Sequence, residues 1–360
     1  MSVEVEARAE DLVDIATLQA WMDTQQLGHG PIEDLISLGG GTQNILLRFS
    51  RAGRSYIFRR PPSHPRSNSN ETMRREARVL AALADMPVPH PRLIAACTDE
   101  SVLGVVFFLM EPIEGFNPIV GFPPLHAGSA AMRHRMGLSL IEGIATLGAV
   151  DYQAVGLEGF GKPDNFLGRQ VARWQSQLES YAAIPEWPGA DPSLRVEEIA
   201  AWLDANLPAS FTPGILHGDY HIGNVLYNLD GPNLAAIVDW ELATIGDPLL
   251  DLGWVLANWP EQSDGDDTND AIVVDIETWD GFPTPAELVA HYRARSARDL
   301  SSILWYAVLA CYKLGIILEG THARSLAGQA GQAIGERHHN KSKALFRRAH
   351  SWLAAAPAWA

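Results

Sequence analysis

Apolar positions recur at two different periods along this chain, and the change of period divides it. Asp11–Gln26 carries its apolar residues at helical spacing and predicts an amphipathic helix. Leu35–Leu38, Ile45–Phe49 and Ser55–Arg59 are short apolar runs bounded by turn-forming residues, the signature of strands. The segment Gly39, Gly40, Gly41, Thr42, Gln43 and Asn44 separates the first two runs, and Ala52-Gly53 turns the second into the third. A Pro/Ser/Asn-rich loop at 61–70 follows, whose composition fits either a plain linker or a substrate lid. Glu71–Ala84 returns to helical spacing, with Glu76, Leu80 and Leu83 on one stripe. Leu103–Met110 predicts an apolar strand, and Glu111-Pro112-Ile113-Glu114 leaves it as a connector, because proline cannot continue a central strand.

After Glu114 the pattern is mainly helical, broken by a strand-rich stretch near 215–239. Leu304–Leu318 is the most apolar long segment. It is too short to span a bilayer and contains Lys313, so it predicts a buried helix. The expectation is an α+β chain with a smaller, strand-rich lobe at 1–111 and a larger, mainly helical lobe at 112–360.

Glu76 raises a physical question, because its stripe faces inward and an unpaired buried carboxylate is costly. Either the strand ending in Arg59-Arg60 supplies a cation, or Glu76 sits at the edge of the stripe in water.

Composition narrows the classes. With 47% hydrophobic and 19% charged residues, the chain suits a soluble globular protein with a sizeable core. The net charge of −16 argues against nucleic acid as a partner, since phosphate backbones need clustered bases. Cys97 and Cys311 form no disulfide or zinc pattern, and no secretory signal or membrane anchor is visible, so a cytoplasmic setting is expected. His338-His339 lacks companion ligands at zinc spacing and is expected to be solvent-exposed. Trp240, Trp254 and Trp259 read as core. Eight acids and no base lie between Glu261 and Asp280. That run is either a solvated loop or an acidic lip that attracts a cationic substrate.

The chemistry concentrates at Ile215–Asp251. His217, Asp219 and Asn224 precede a strand at Val225–Tyr227, a turn at Asp230-Gly231 and a second strand at Ala235–Val238 that delivers Asp239. A hairpin of this kind is expected to return Asp239 beside the loop holding Asp219 and Asn224. No Lys or Arg lies between His217 and Asp251, so three converging oxygen-bearing side chains call for a hard cation such as Mg²⁺.

The strings HGDYHIGNVLYN and IVDWELATIGDPLLDLGW resemble the aminoglycoside phosphotransferase and choline kinase superfamily, small-molecule kinases related to protein kinases. They are especially similar to the branch fused to acyl-CoA dehydrogenases in some animals. The resemblance covers about residues 30–320 and implies a protein-kinase-like two-lobed fold, ATP and Mg²⁺ as cofactors, and a small-molecule hydroxyl as acceptor. It makes Asp219 the catalytic aspartate and Asn224 and Asp239 the metal ligands. His217 would brace the loop, Asp251 would bond its backbone amides, and Asp247 would cap the following helix. Gly39, Gly40, Gly41, Thr42 and Asn44 would cover the phosphates. Met110, Glu111 and Ile113 would line the adenine site. Arg59 would stand where kinases usually have lysine, with Glu76 as its partner, and a planar fork does not replace a point charge conservatively.

The acceptor stays open at this level. A metabolite such as a hydroxyacyl-CoA would want a basic entrance, which Arg66, Arg74, Arg75 and the stretch 291–298 would furnish. An aminoglycoside would want an acidic pocket. A nucleotide-binding scaffold without catalysis is the alternative of another class, resting on Arg59 alone. Oligomeric state is not legible.

Overall fold

The computed structural model describes residues 9–38, 44–261, 272 and 274–360. The chain forms two compact units. The first is Met1–Glu114 with Val155–Leu157 and Ala235–Glu241, and the second is everything else. The first unit runs to Glu114, and within it Arg48 reaches Glu114 (3.8 Å) and Arg54 reaches Glu111 (3.1 Å). Two short downstream segments also join the first unit, which sequence did not foresee.

In the first unit, strands β1 (Glu33–Ser37), β2 (Ile45–Arg51), β3 (Arg54–Arg60), β4 (Leu93–Cys97) and β5 (Phe107–Met110) form one antiparallel sheet in the order β1-β2-β3-β5-β4. The β2–β3 hairpin closes on Ala52 (φ 50°) and Gly53 (φ 76°), two left-handed residues of the kind that match strand twist. Helix α1 (Ile15–Thr24), capped by Asp14, lays Leu18, Trp21 and Met22 onto Leu47, Phe49, Phe58 and Phe107, with Trp21 edge-on to Phe107 at 4.7 Å. Arg51 is buried under this helix and donates to Gly30 O, Gln19 O and Asp23 Oδ1. Helix α2 (Ser69–Ala82) follows the loop and buries Met73, Glu76, Ala77, Val79 and Leu80. The strand expected at Leu103–Met110 starts only at Phe107. Residues 101–106 turn instead, with Gly104 at φ 75°.

The second unit contains the short α3 (Pro124–Ala127), then α4 (Ala130–Ala149), α5 (Gln170–Ser180) and α6 (Val196–Ala205). Three-residue strands β6 (Gly214–Leu216) and β7 (Val225–Tyr227) precede β8 (Leu234–Ile237), which leads the chain into the first unit. After it come β9 (Thr244–Gly246), α7 (Leu249–Ala257), α8 (Pro285–Arg293), α9 (Ile303–Leu326) and α10 (Gln332–Ala354). β6 pairs antiparallel with β9. Helix α9 is apolar almost all round and packs against α7 and α10, as a central core helix does. It is 24 residues long, longer than the apolar run Leu304–Leu318 that was expected to form a buried helix too short to span a bilayer. By length and composition it qualifies, but 83% of its apolar window is buried inside the protein.

Three other expectations change. His338 and His339 are half-buried, not exposed. His339 Nδ1 lies 2.8 Å from Glu319 Oε2, and its ring stacks on His322 at 4.1 Å. The ligand-type atoms of Glu319, His322 and His339 lie within 4.8 Å of one another. Glu319 already serves Trp187 Nε1 and His339, and imidazoles stacked at 26° do not aim their lone pairs at one point. The acidic run 261–280 falls partly outside the described residues. Within them, Glu261 accepts from Trp352, Asp275 lies 3.8 Å from Lys341 and Asp280 pairs with Arg133, so bases from α4 and α10 answer it. Three of the cations named for a basic entrance are engaged: Arg74 pairs with Glu100, Arg295 with Glu142, and Arg298 donates to the carbonyls of Gly148 and Thr212.

Candidate active site

The chemistry-bearing residues fall into two clusters, one in each unit. In the first unit, β3 points Arg59 inward, and the guanidinium is only 7% exposed. Its Nε donates to Glu76 Oε2 of α2 at 3.0 Å, and its Nη2 donates to Asp239 Oδ1 at 2.8 Å. Glu76 is therefore paired, and the solvated alternative falls. Burial opposes the Arg59 charge, but Glu76 and Asp239 outweigh it and hold the guanidinium protonated above its ordinary range. Burial pushes the Glu76 carboxyl up to about 7 against the pull of Arg59, and repulsion from the negative charges of Asp239 and Glu241 adds to the rise.

Asp239 adopts φ 66°, a left-handed conformation uncommon for a residue with a side chain, and its side chain stays 41% exposed. Two residues on, Glu241 accepts from Asn44 Nδ2 at 3.1 Å, which ties Asn44 to the turn that follows Asp239. Gly39, Gly40, Gly41 and Thr42 lie outside the described residues. Met110 ends β5, opposite Ile57 and Leu93. The Glu111 N–H donates to Arg92 O and its carboxylate is taken by Arg54, while Ile113 is half-buried in the connector.

In the second unit, the loop after β6 is built around Asp251, in the first turn of α7 and 2% exposed. Its two oxygens accept the backbone N–H groups of His217 (2.6 Å) and Gly218 (2.9 Å). Burial raises its pKa, partly offset by His217 and those two amides. Gly218 stands at φ 88°, and a Cβ there would meet Leu242 O at 2.6 Å, so only glycine fits this bend. The bend presents Asp219. Its Oδ1 accepts from Trp254 Nε1 at 3.0 Å and its Oδ2 from Asn224 Nδ2 at 3.2 Å, while His221 Nε2 lies 3.7 Å away. Burial would raise the Asp219 carboxyl. The hydrogen bond and charge of His221, with His217 and Lys313, reverse this and hold it well below the usual carboxylate range.

His217 is fully buried, and its Nδ1 faces the Asp219 N–H at 3.4 Å. Asp247 accepts the Leu249 N–H at the start of α7, and Tyr306 OH donates to its other oxygen. Lys313, from the middle of α9, donates to Gly218 O at 3.1 Å and stands 4.3 Å over the Trp254 ring.

Two cations missing from the 217–251 stretch thus come from elsewhere: Arg59 to Asp239, and Lys313 to the loop of Asp219. Sequence reading missed Trp254, His221 and Lys313. The available signals were position i+3 from Asp251 on one helix face, position i+2 from Asp219, and the one charge in an apolar run. Each cluster keeps an oxygen of the kind a hard cation takes. Asn224 spends its amide nitrogen on Asp219, leaving its Oδ1, and Asp239 gives one oxygen to Arg59 and keeps the other.

A kinase-like α+β fold carrying these clusters defines a phosphotransferase. The chain belongs to the phosphotransferase enzyme family (APH), which it matches over residues 34–288. It is 28% identical over 310 residues to acyl-CoA dehydrogenase family member 10 of Mus musculus, covering 85% of this chain and 28% of that protein. It spans between 28% and 41% of the length of the curated relatives it matches. Among solved structures, a candidate aminoglycoside phosphotransferase from Ralstonia eutropha is 27% identical, with TM-score 0.75, over 94% of this chain and 99% of that one. The GDP complex of aminoglycoside 2′-phosphotransferase-IIIa shares the fold at TM-score 0.62 and 17% identity, over 92% and 98% of the two chains.

Proposed function

We propose that this phosphotransferase moves the γ-phosphoryl of ATP to a hydroxyl of a small metabolite, a hydroxyacyl-CoA or related hydroxy compound, in a reducing cytoplasmic setting. The observation that carries the reading is Asp219, a carboxylate held ionised by Trp254, Asn224 and the neighbouring histidines. So low a pKa makes it a weak base at rest. Its work is to orient the hydroxyl and take the proton late, as the phosphorus–oxygen bond forms. Asn224 and Asp239 would each offer an oxygen to Mg²⁺, which when bound neutralises phosphate charge. Arg59, fixed by Glu76, would face the phosphates of the donor, and the backbone of Met110–Ile113 would meet its base.

The acyl-CoA dehydrogenase relative supports a metabolic acceptor, and the Ralstonia eutropha structure supports an aminoglycoside as the second reading. The intact Asp219–Asn224 pair gives a non-catalytic scaffold no support. The test is Asp219→Asn in a screen with labelled ATP across hydroxyacyl-CoAs, hydroxy acids and aminoglycosides. Turnover should fall by roughly 10²–10⁴-fold while Mg-ATP binding persists. Undiminished phosphorylation of a genuine acceptor by that variant would sink the assignment.

A further inference from the structure

The second unit encloses a cavity of about 150 Å³ that no motif singled out. Arg173 and Trp174 of α5, Gly218, Trp254 of α7 and Lys313 of α9 line it. The polar hydrogens left over in this wall all belong to donors. Lys313 spends one hydrogen on Gly218 O and has two more, and its ammonium lies between the rings of Trp254 (4.3 Å) and Trp174 (5.5 Å). The Arg173 guanidinium stands 5.1 Å from the Trp174 ring. The Trp174 indole N–H is buried and has no acceptor, a costly arrangement for an empty cavity.

Among the described residues, neither Lys313 nor Arg173 has a carboxylate in ion-pair range. Asp251, the one carboxylate in the wall, has given both oxygens to backbone N–H groups. Three donors of three kinds, two of them cationic, therefore face a space whose wall is otherwise mostly aromatic and aliphatic carbon, with Gln170 and Thr244 as its neutral polar members. That is the inverse of what a polycationic ligand needs, and it matches an anion on a short apolar stem.

We infer that this cavity receives an anionic oxygen group, carboxylate or phosphate, of the phosphoryl acceptor, whose hydroxyl lies at Asp219. The assignment rests on the reading of Asp219 as the group that orients that hydroxyl. Trp254 joins the two places, since its ring faces Lys313 while its Nε1 holds Asp219. The volume is below the roughly 300–1,000 Å³ of a whole-ligand pocket, so the cavity takes one functional group and the carbons beside it. Among the hydroxy compounds proposed above, this narrows the acceptor to a short hydroxy acid or hydroxyalkyl phosphate and away from the CoA ester, whose thioester carbonyl leaves the Lys313 charge unmatched. Burial, only partly offset by Asp219 and Asp251 and reinforced by the like charge of Arg173, brings the Lys313 ammonium down to about 8, as expected of a cation short of counter-charge.

Calorimetric titration of the full chain with butyrate, butyl phosphate, butyramide and butylammonium tests this without turnover. Butyrate or butyl phosphate should bind saturably, the stronger of the two naming the group, and the amide and the amine should not. Lys313→Met should weaken the anion by roughly tenfold or more. Arg173→Ala, at an exposed position of α5, should weaken it too. Equal binding of butyramide, or no anion binding by a protein whose Mg-ATP thermal shift is intact, overturns the assignment. Phosphorylation of neutral diols, undiminished in Arg173→Ala, overturns it while leaving the kinase reading in place. Anion binding without phosphorylation of any hydroxylated anion supports the cavity and removes the kinase reading.

Discussion

Arg59 shows why single residues here have to be read through their partners. A guanidinium holds Glu76 with one edge and Asp239 with another, which the point charge of lysine cannot do. Arg59→Lys should therefore release one acid, lowering stability by about 1–3 kcal/mol in urea denaturation and raising the KM for ATP. Glu76 supplies a pH signature. Its carboxyl ordinarily titrates at 4.5 and in the fold at about 7, so between those values the folded protein holds more proton than the unfolded chain. Stability then falls as pH rises through that window. Glu76→Gln should flatten this slope, read as a smaller stability difference between about pH 5 and about pH 7.5. Asp219, Asn224 and Asp239 stood out as candidates because they lie close together in sequence at a fixed spacing. Lys313 and Trp254 did not, because only folding brings α9 and α7 to the loop of Asp219, and both fit a core helix pattern equally well.

At the scale of elements, α7 is the brace of the site. Asp251 and Trp254, one turn apart, hold the backbone and the side chain of the same loop. Asp251→Asn would turn one accepting oxygen into a donor facing an N–H. Turnover should drop and the melting temperature should fall by several degrees, with about 1–3 kcal/mol at stake. Gly218→Ala meets Leu242 O and a left-handed φ together, so it should cost about 1–3 kcal/mol and most activity, measured by thermal melting and labelled-ATP turnover. The element order was largely readable from periodicity. The strand start at Phe107 and the full length of α9 were not: Gly104 turns a run that is apolar enough to extend, and α9 continues past Leu318 into polar residues that packing holds helical.

For the whole molecule, a net charge of −16 sets the background against which Arg59, Lys313 and Arg173 act, since few cations lie near the chemistry and each is placed. Mg-ATP should stabilise the protein by about 2.7 kcal/mol at a hundredfold excess over its dissociation constant, seen as a thermal shift that chelation abolishes. The two-part division was foreseen from the change of period at Glu114, but not that the first unit draws on residues far downstream. No periodicity reports that, because Ala235–Glu241 reads as an ordinary strand and turn.

The Ile237 N–H donates to Pro89 O and Arg78 donates to Gly156 O, so the segments borrowed by the first unit are stitched into it. The smaller unit therefore corresponds to no contiguous stretch of gene. A fragment ending at Glu114 would lack Asp239 and leave Arg59 half-answered, and should be recovered only when the remainder of the chain is co-expressed. The two units can be inherited, lost or grafted only together, which makes the complete phosphotransferase the smallest module that recombination can move.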